Sequence, residues 1–152
     1  MADKVKFELV SPEKLLLSEE VAMVVVPGTE GNFGVLPGHA LLISAVRPGI
    51  IDVYGSDQRA VTQRLFVSGG FAEVSPERCT VLADEAMPVK DIDRAAVEGV
   101  AKALEGEVAG LKDEVARAAA EEKSELLARL RASERRLAAS RAKLEALKAL
   151  PH

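Results

Sequence analysis

The chain has 152 residues, 48% of them hydrophobic and 29% charged, enough for one or two small folding units and too little for a large multidomain enzyme. Twenty Lys and Arg against 24 Asp and Glu leave a net charge of -4, which lacks the cationic surface that nucleic-acid phosphates demand and argues against DNA or RNA as a partner. One cysteine, Cys79, excludes an internal disulfide and a multi-thiolate metal site.

The longest apolar run, near Val21 to Pro27, falls far short of the roughly 18 residues that span a bilayer, and Met1 to Val10 carries no signal-peptide core. A cytoplasmic protein without direct membrane insertion is expected. Only 3% of the residues are aromatic, and all five (Phe7, Phe33, Tyr54, Phe66, Phe71) precede residue 90. Residues 1–90 carry 8 basic and 12 acidic side chains (8 - 12 = -4), whereas residues 91–152 carry 12 of each (12 - 12 = 0). The two parts follow different rules.

In the first part, Lys4 to Leu9 alternates polar and apolar, placing Val5, Phe7 and Leu9 on one face of a strand that Pro12 ends. Val21 to Val26 reads as an unbroken strand covered on both faces. Further strands are expected at Leu41 to Arg47, Ile50 to Tyr54, Val61 to Val67, Phe71 to Val74 and Cys79 to Ala83, separated by turn residues such as Pro48-Gly49, Ser56-Asp57, Gly69-Gly70 and Pro76. Short strands without helical periodicity between them predict a β-sandwich or barrel, of which an antiparallel β-sandwich over residues 1–88 is the expected form. The glycine-rich segment Pro27 to Ala40 repeats Gly every three residues, lacks a following Lys-Ser/Thr pair, and opens no helix, so it reads as a linker between strands and not as a phosphate loop.

In the second part, residues 89–152, Asp91 is the expected helix cap with Asp93 in the first turn. An apolar stripe runs Val97, Val100, Leu104, Val108, Leu111, Val115, Ala118. A second runs Leu126, Leu130, Ser133, Leu137, Ser140, Leu144, Leu147, with serine at two seam positions. A turn between Ala119 and Ser124, with Ser124 capping the next helix, gives an antiparallel two-helix hairpin; one uninterrupted helix from Asp91 to Leu150 is the competing pattern. Arg129, Arg131, Arg135, Arg136 and Arg141 dominate the second helix, and arginine binds carboxylates bidentately, so an acidic protein surface is the natural partner if they are more than a solvated face. His39 stands alone inside the chain, Cys79 lies within a strand, and no base, nucleophile or metal set is discernible. The expected fold class is therefore α+β, a β-sandwich followed by a helical hairpin, and a non-enzyme is expected. An adaptor or scaffold whose hairpin joins a coiled coil is one function compatible with these features.

Several separated motifs sharpen this. Phe7-Glu8-Leu9-Val10-Ser11-Pro12-Glu13, Gly28-Thr29-Glu30-Gly31, Gly34-Val35-Leu36-Pro37-Gly38-His39-Ala40, Arg47-Pro48-Gly49, Ser68-Gly69-Gly70-Phe71 and Leu82-Ala83-Asp84, in that order, resemble the ε subunit family of bacterial F-type ATP synthases, counterpart of mitochondrial δ. The resemblance implies a non-catalytic rotor subunit of the central stalk, peripheral to the cytoplasmic face of the bacterial inner membrane. It implies a sandwich that touches the γ subunit and the polar loops of the c-ring, with Glu30, Gly31, Asn32 and His39 as the c-ring or γ contact residues. It implies a hairpin that restrains ATP hydrolysis by reaching the α/β catalytic subunits, for which the five arginines are the candidate contacts. Asn32 stands where many members carry Glu. Some members bind ATP at Ile/Leu-Asp-x-x-Arg-Ala; here Ile92 and Asp93 match, but Ala96 and Val97 replace Arg and Ala, and Arg94 lies about 200 degrees around the helix from the motif position. No cofactor is expected, and a nucleotide site would rest on Ile92 and Asp93 alone.

Overall fold

The alternation at the start of the chain becomes strand β1 (Val5–Val10), with Val5, Phe7 and Leu9 buried in a core that excludes water almost completely. In the computed structural model, which describes residues 3–150, nine more strands follow: β2 (Leu15–Val21), β3 (Met23–Gly28), β4 (Gly31–Val35), β5 (Leu42–Val46), β6 (Gly49–Tyr54), β7 (Gln63–Val67), β8 (Gly70–Val74), β9 (Arg78–Ala83) and β10 (Ala86–Pro88). Their order is β10-β7-β6-β3-β5-β8-β9-β1-β2, with β4 paired to β3. A single bridge between Gly28 and Val46 joins β3 to β5 and lets the ten-stranded sheet fold over on itself. The enclosed core is built mainly of valines, with Phe7, Leu9, Ile51 and Leu65 as its larger members. Burying a side chain of the size of Phe7 stabilises the fold by about 2–3 kcal/mol.

The sandwich expected from the strand spacing is therefore present, with four differences in detail. First, β1 runs parallel to β9, pairing Phe7 with Cys79 and Leu9 with Val81, while all other pairs are antiparallel. Second, the run Val21 to Val26 is not one strand: β2 ends at Val21, β3 begins at Met23, and between them the Ala22 amide donates to the Tyr54 carbonyl at 2.8 Å. Third, β2 itself escapes sequence patterning because it is an edge strand with one neighbour, β1, and its side chains need not alternate. Fourth, the glycine-rich segment is not merely a linker. Its first half forms the β3–β4 hairpin, in which Gly28 opposes Gly31. Gly31 and Gly38 do adopt positive φ (+133° and +85°), which explains glycine at those two positions.

A single 3₁₀ turn over Val89–Asp91 leads out of the sandwich. The chain divides into two compact units, Met1–Ile92 and Asp93–His152. The second unit contains helices α1 (Arg94–Arg117) and α2 (Ala120–Ala149), packed as an antiparallel hairpin. Asp93, not Asp91, is the N-cap of α1: its Oδ1 accepts from the Ala96 amide at 3.2 Å, because a carboxylate three residues before that amide is where an orphan helix donor points. The interhelical break falls at Ala118 and Ala119, both extended, so the uninterrupted helix is excluded. Ser124 lies inside α2 and caps nothing, and Ala119 occupies the N-cap position without a side-chain bond. The turn carries no side-chain cap, and Glu121 and Glu122 complement the dipole at the start of α2.

The hairpin seam pairs Ala101, Leu104, Val108 and Leu111 with Leu130, Ser133, Leu137 and Ser140. Val100, expected in the seam, is 48% exposed, and Ala101 takes its place. Steps of 4, 3, 4, 3 and 4 from Val97 through Ala101 to Val115 keep the stripe facing its partner, whereas passing through Val100 requires two consecutive steps of 4. Both serines are buried as the pattern requires.

Candidate functional site

The turn of the β3–β4 hairpin is Thr29-Glu30, and it projects Glu30, Gly31 and Asn32 into solvent. Arg47, immediately after β5, grips the base of this hairpin. Its Nη1 donates to the Gly28 carbonyl at 2.5 Å and its Nη2 donates to Asn32 Oδ1 at 2.6 Å. The Thr29 amide donates to the Ala45 carbonyl at 3.1 Å, adding a backbone tie on the same side. His39 does not join this group. It lies beyond the far end of β4, four residue steps or about 13 Å of strand from Gly31 to Val35 and then further. There its Nδ1 lies 2.7 Å from the Ala40 carbonyl oxygen, and the neighbouring Gly38 amide donates to the Pro76 carbonyl at 2.8 Å.

A second feature escaped sequence reasoning. Cross-strand register aligns Ala45, Phe71, Leu82, Val10 and Leu15 in one row across β5, β8, β9, β1 and β2. Alternate residues Ala72, Val81 and Ala83 point into the core, so this row faces outward. Phe71 is 60% exposed, Leu82 and Leu15 are 54% exposed, and Ile43, two residues from Ala45 on the same face, is 76% exposed. A shallow cavity of about 400 Å³ opens in the row, lined among others by Val10, Pro12, Gly70, Phe71 and Leu82. The available signal was phase: Leu82 sits out of step with buried Cys79, Val81 and Ala83, and Phe71 shares its face with Glu73. An exposed contiguous apolar strip of this kind marks a surface built to be covered.

In the hairpin, Arg129, Arg131, Arg135, Arg136 and Arg141 are all exposed. Arg129 and Arg136, seven residues apart, share one flank of α2, while Arg131 and Arg135 lie opposite the seam. Arg141 Nη2 sits 3.4 Å from Glu105 Oε1 of α1 and borders a groove of about 330 Å³ between the helices, with Lys112 and Glu134 also on its rim. Ile92 and Asp93 flank the start of α1, and the Asp93 carboxylate is engaged in capping.

No group of His, Cys, Asp and Glu among the described residues is arranged to hold a metal. Cys79 is buried in the core, and burial pushes its thiol up to about 12, away from the nucleophilic thiolate. No described helix is long and apolar enough to cross a membrane.

The profile described as "ATP synthase, Delta/Epsilon chain, beta-sandwich domain" matches residues 4–89, more than half of the chain and the whole ten-strand unit. The chain belongs to the ATP synthase delta/epsilon family. The ATP synthase epsilon chain of Rhodospirillum centenum is 54% identical over 145 residues, covering 95% of this chain and 92% of that one. The corresponding chain of Parvibaculum lavamentivorans is 47% identical over 131 residues, covering 86% and 98%. Matches of 145 and 131 residues are longer than the Met1–Ile92 unit and so reach into the helical unit, and membership in the delta/epsilon family does not rest on the sandwich alone. Among solved structures, a chain in the cryo-EM structure of Euglena gracilis mitochondrial ATP synthase, OSCP/F1/c-ring in rotational state 1, matches 97% of this chain and 83% of that one, with TM-score 0.64 and 25% identity. The delta/epsilon fold, sandwich then helix pair, is thus shared over nearly the full length.

Proposed function

We propose that this protein is a non-catalytic central-stalk subunit of a proton-translocating F1Fo ATP synthase at the cytoplasmic face of a bacterial inner membrane, linking γ to the c-ring, with the hairpin restraining ATP hydrolysis. The observation that carries the reading is the outward apolar row through Phe71, Leu82, Val10 and Leu15 on a delta/epsilon sandwich. A rotor subunit must bind its neighbour firmly enough to transmit torque, and a strip of exposed aromatic and aliphatic side chains beside a cavity supplies the desolvated anchor that such an interface requires. We assign this strip to γ.

The β3–β4 tip, polar and anchored at its base, is the c-ring contact in this reading. Glu30, Gly31 and Asn32 belong to it, whereas His39 supports the opposite end of β4. The α2 arginines engage acidic loops of the α/β catalytic subunits, since guanidinium groups pair with carboxylates in a bidentate manner. Nucleotide control through Ile92 and Asp93 is disfavoured because the Asp93 carboxylate already serves α1.

The experiment is reconstitution of the complex with residues 93–152 deleted, and separately with Phe71→Asp and Leu82→Asp. The deletion is expected to leave assembly and proton-driven synthesis intact while raising ATP hydrolysis; the double charge substitution is expected to prevent copurification with γ although the sandwich stays folded. Unchanged hydrolysis in the first complex and normal γ copurification in the second would leave the reading without support.

A further inference from the structure

Arg47 makes three bonds to both arms of one hairpin. Its backbone amide donates to the Pro27 carbonyl at 2.8 Å, Nη1 donates to the Gly28 carbonyl at 2.5 Å, and Nη2 donates to Asn32 Oδ1 at 2.6 Å. Pro27 and Gly28 lie on the strand entering the turn and Asn32 on the strand leaving it. The hairpin's own backbone ladder ends at the Gly28–Gly31 pair. The residues at its base, Gly28 and Gly31, have no side chains, and nothing lies within 4 Å of where a Gly31 side chain would project. Gly28 cannot be given one without moving the backbone, because a β-carbon there would lie 2.8 Å from the Gly31 carbonyl oxygen. Order at the tip is therefore reinforced from outside, by the Thr29 amide bond to the Ala45 carbonyl and by a planar guanidinium whose fixed fork reaches two acceptors at once. Both acceptors are neutral oxygens, and the charge on the donor strengthens each bond.

We propose that Arg47 is the positioning residue of the β3–β4 tip, and that Asn32 acts through this bond and not as a docking group, leaving the Glu30 carboxylate as the side chain the tip offers to a partner. Asn32 Oδ1 faces Arg47, whereas Glu30 is exposed at the apex. The surface that meets the tip accordingly carries cations or hydrogen-bond donors. The docking half of this inference rests on the assignment of the tip to the c-ring, and the clamp does not.

Amide hydrogen exchange in the full-length protein separates the two. Arg47→Met, which keeps the aliphatic stem, is expected to accelerate exchange at Thr29 and at residues 31–33 on the order of tenfold or more, the effect of losing a charge-assisted hydrogen bond. Exchange in β8 and β9 stays unchanged. Arg47→Lys recovers only part of the protection, because an ammonium cannot fork to both acceptors. Asn32→Ala added to Arg47→Met brings no further acceleration. Unchanged exchange at the tip, or acceleration spread evenly over the sandwich, overturns the clamp. In the reconstituted complex, Arg47→Met and Glu30→Gln are expected to weaken coupling of proton flow to synthesis and Asn32→Ala to do so only as far as it loosens the tip. Faster tip exchange with undiminished coupling keeps the clamp and overturns the c-ring assignment. Lost coupling with unchanged exchange does the reverse.

Discussion

The hydroxyl of Ser133 on α2 donates to the Glu107 carboxylate of α1 across the hairpin seam at 2.9 Å. A polar bond thus occupies a position where the heptad pattern would otherwise place a leucine. Ser133→Ala removes the bond and leaves Glu107 to water, at a cost of roughly 0.5–1.5 kcal/mol to the hairpin. Ser133→Leu buries more apolar area, about 2 kcal/mol worth, and outweighs the lost bond to leave a more stable hairpin. Thermal unfolding followed at the helical circular-dichroism band measures both, and the leucine variant should melt later than the parent, the alanine variant earlier.

Arginines on α2 offer a second test. Arg129, Arg135 and Arg136 are exposed, whereas Arg141 is drawn to Glu105 at 3.4 Å. Replacing the first three with Ala is expected to raise ATP hydrolysis by the reconstituted complex several-fold, since each exposed charge pair contributes roughly 0.2–1 kcal/mol. Added salt should reproduce the effect in the parent complex by screening. Arg141→Ala should instead act on the isolated hairpin, lowering its stability by less than about 1 kcal/mol.

Glycines of the sandwich differ sharply in what they tolerate. Gly70 has φ +147°, and a β-carbon there would overlap the carbonyl oxygen of Leu82 on the neighbouring strand. Gly70→Ala should cost more than about 3 kcal/mol, as expected when backbone strain and a steric clash coincide. Gly31→Ala meets open space and pays only for its positive φ, about 1–2 kcal/mol. Denaturant unfolding of the two variants should show that order.

Cys79 is packed between β1 and β8, and desolvation raises its thiol from 9.0 to about 12. The sign of the pH effect follows. Below pH 9 both folded and unfolded chains keep the proton and stability is unaffected; above it the unfolded chain loses the proton while the folded one retains it. Stability should fall by about 1.4 kcal/mol per pH unit above 9 until the folded thiol itself ionises. Cys79→Ala should remove that slope. A thiol reagent at pH 8 should leave the folded protein unmodified and label it once denatured.

Legibility in the sequence tracked how local each determinant is. Strands whose faces differ in polarity, such as β1, were readable because Val5, Phe7 and Leu9 share one side. β2 was not, because an edge strand answers to a single neighbour. The hairpin's existence and its serine-bearing seam were readable from periodicity, but Val100 and Ala101 compete within one residue and only packing against α2 decides between them. The tip residues Glu30, Gly31 and Asn32 were identifiable as a group. Separation of His39 from them depends on β4 being a strand, and Arg47 lies 15 residues from Asn32 in the chain, beyond the reach of local pattern. The apolar row depends on register across five strands, a property no single strand encodes.

The parallel pairing of β1 with β9 carries a consequence for how the protein is made. Strand β1 finds one of its two neighbours only after Arg78–Ala83 has been synthesised, so this part of the sandwich closes late. The hairpin contacts, by contrast, span separations such as the 26 residues between Glu107 and Ser133 and can form as soon as α2 emerges. Until β9 is made, β1 has only β2 of its two neighbours available, and its core-facing Val5, Phe7 and Leu9 lack the cover that β9 helps to supply. That interval is when this chain is most exposed to aggregation, and substitutions in β9 that slow its docking should lower the yield of soluble protein before they measurably alter the finished fold.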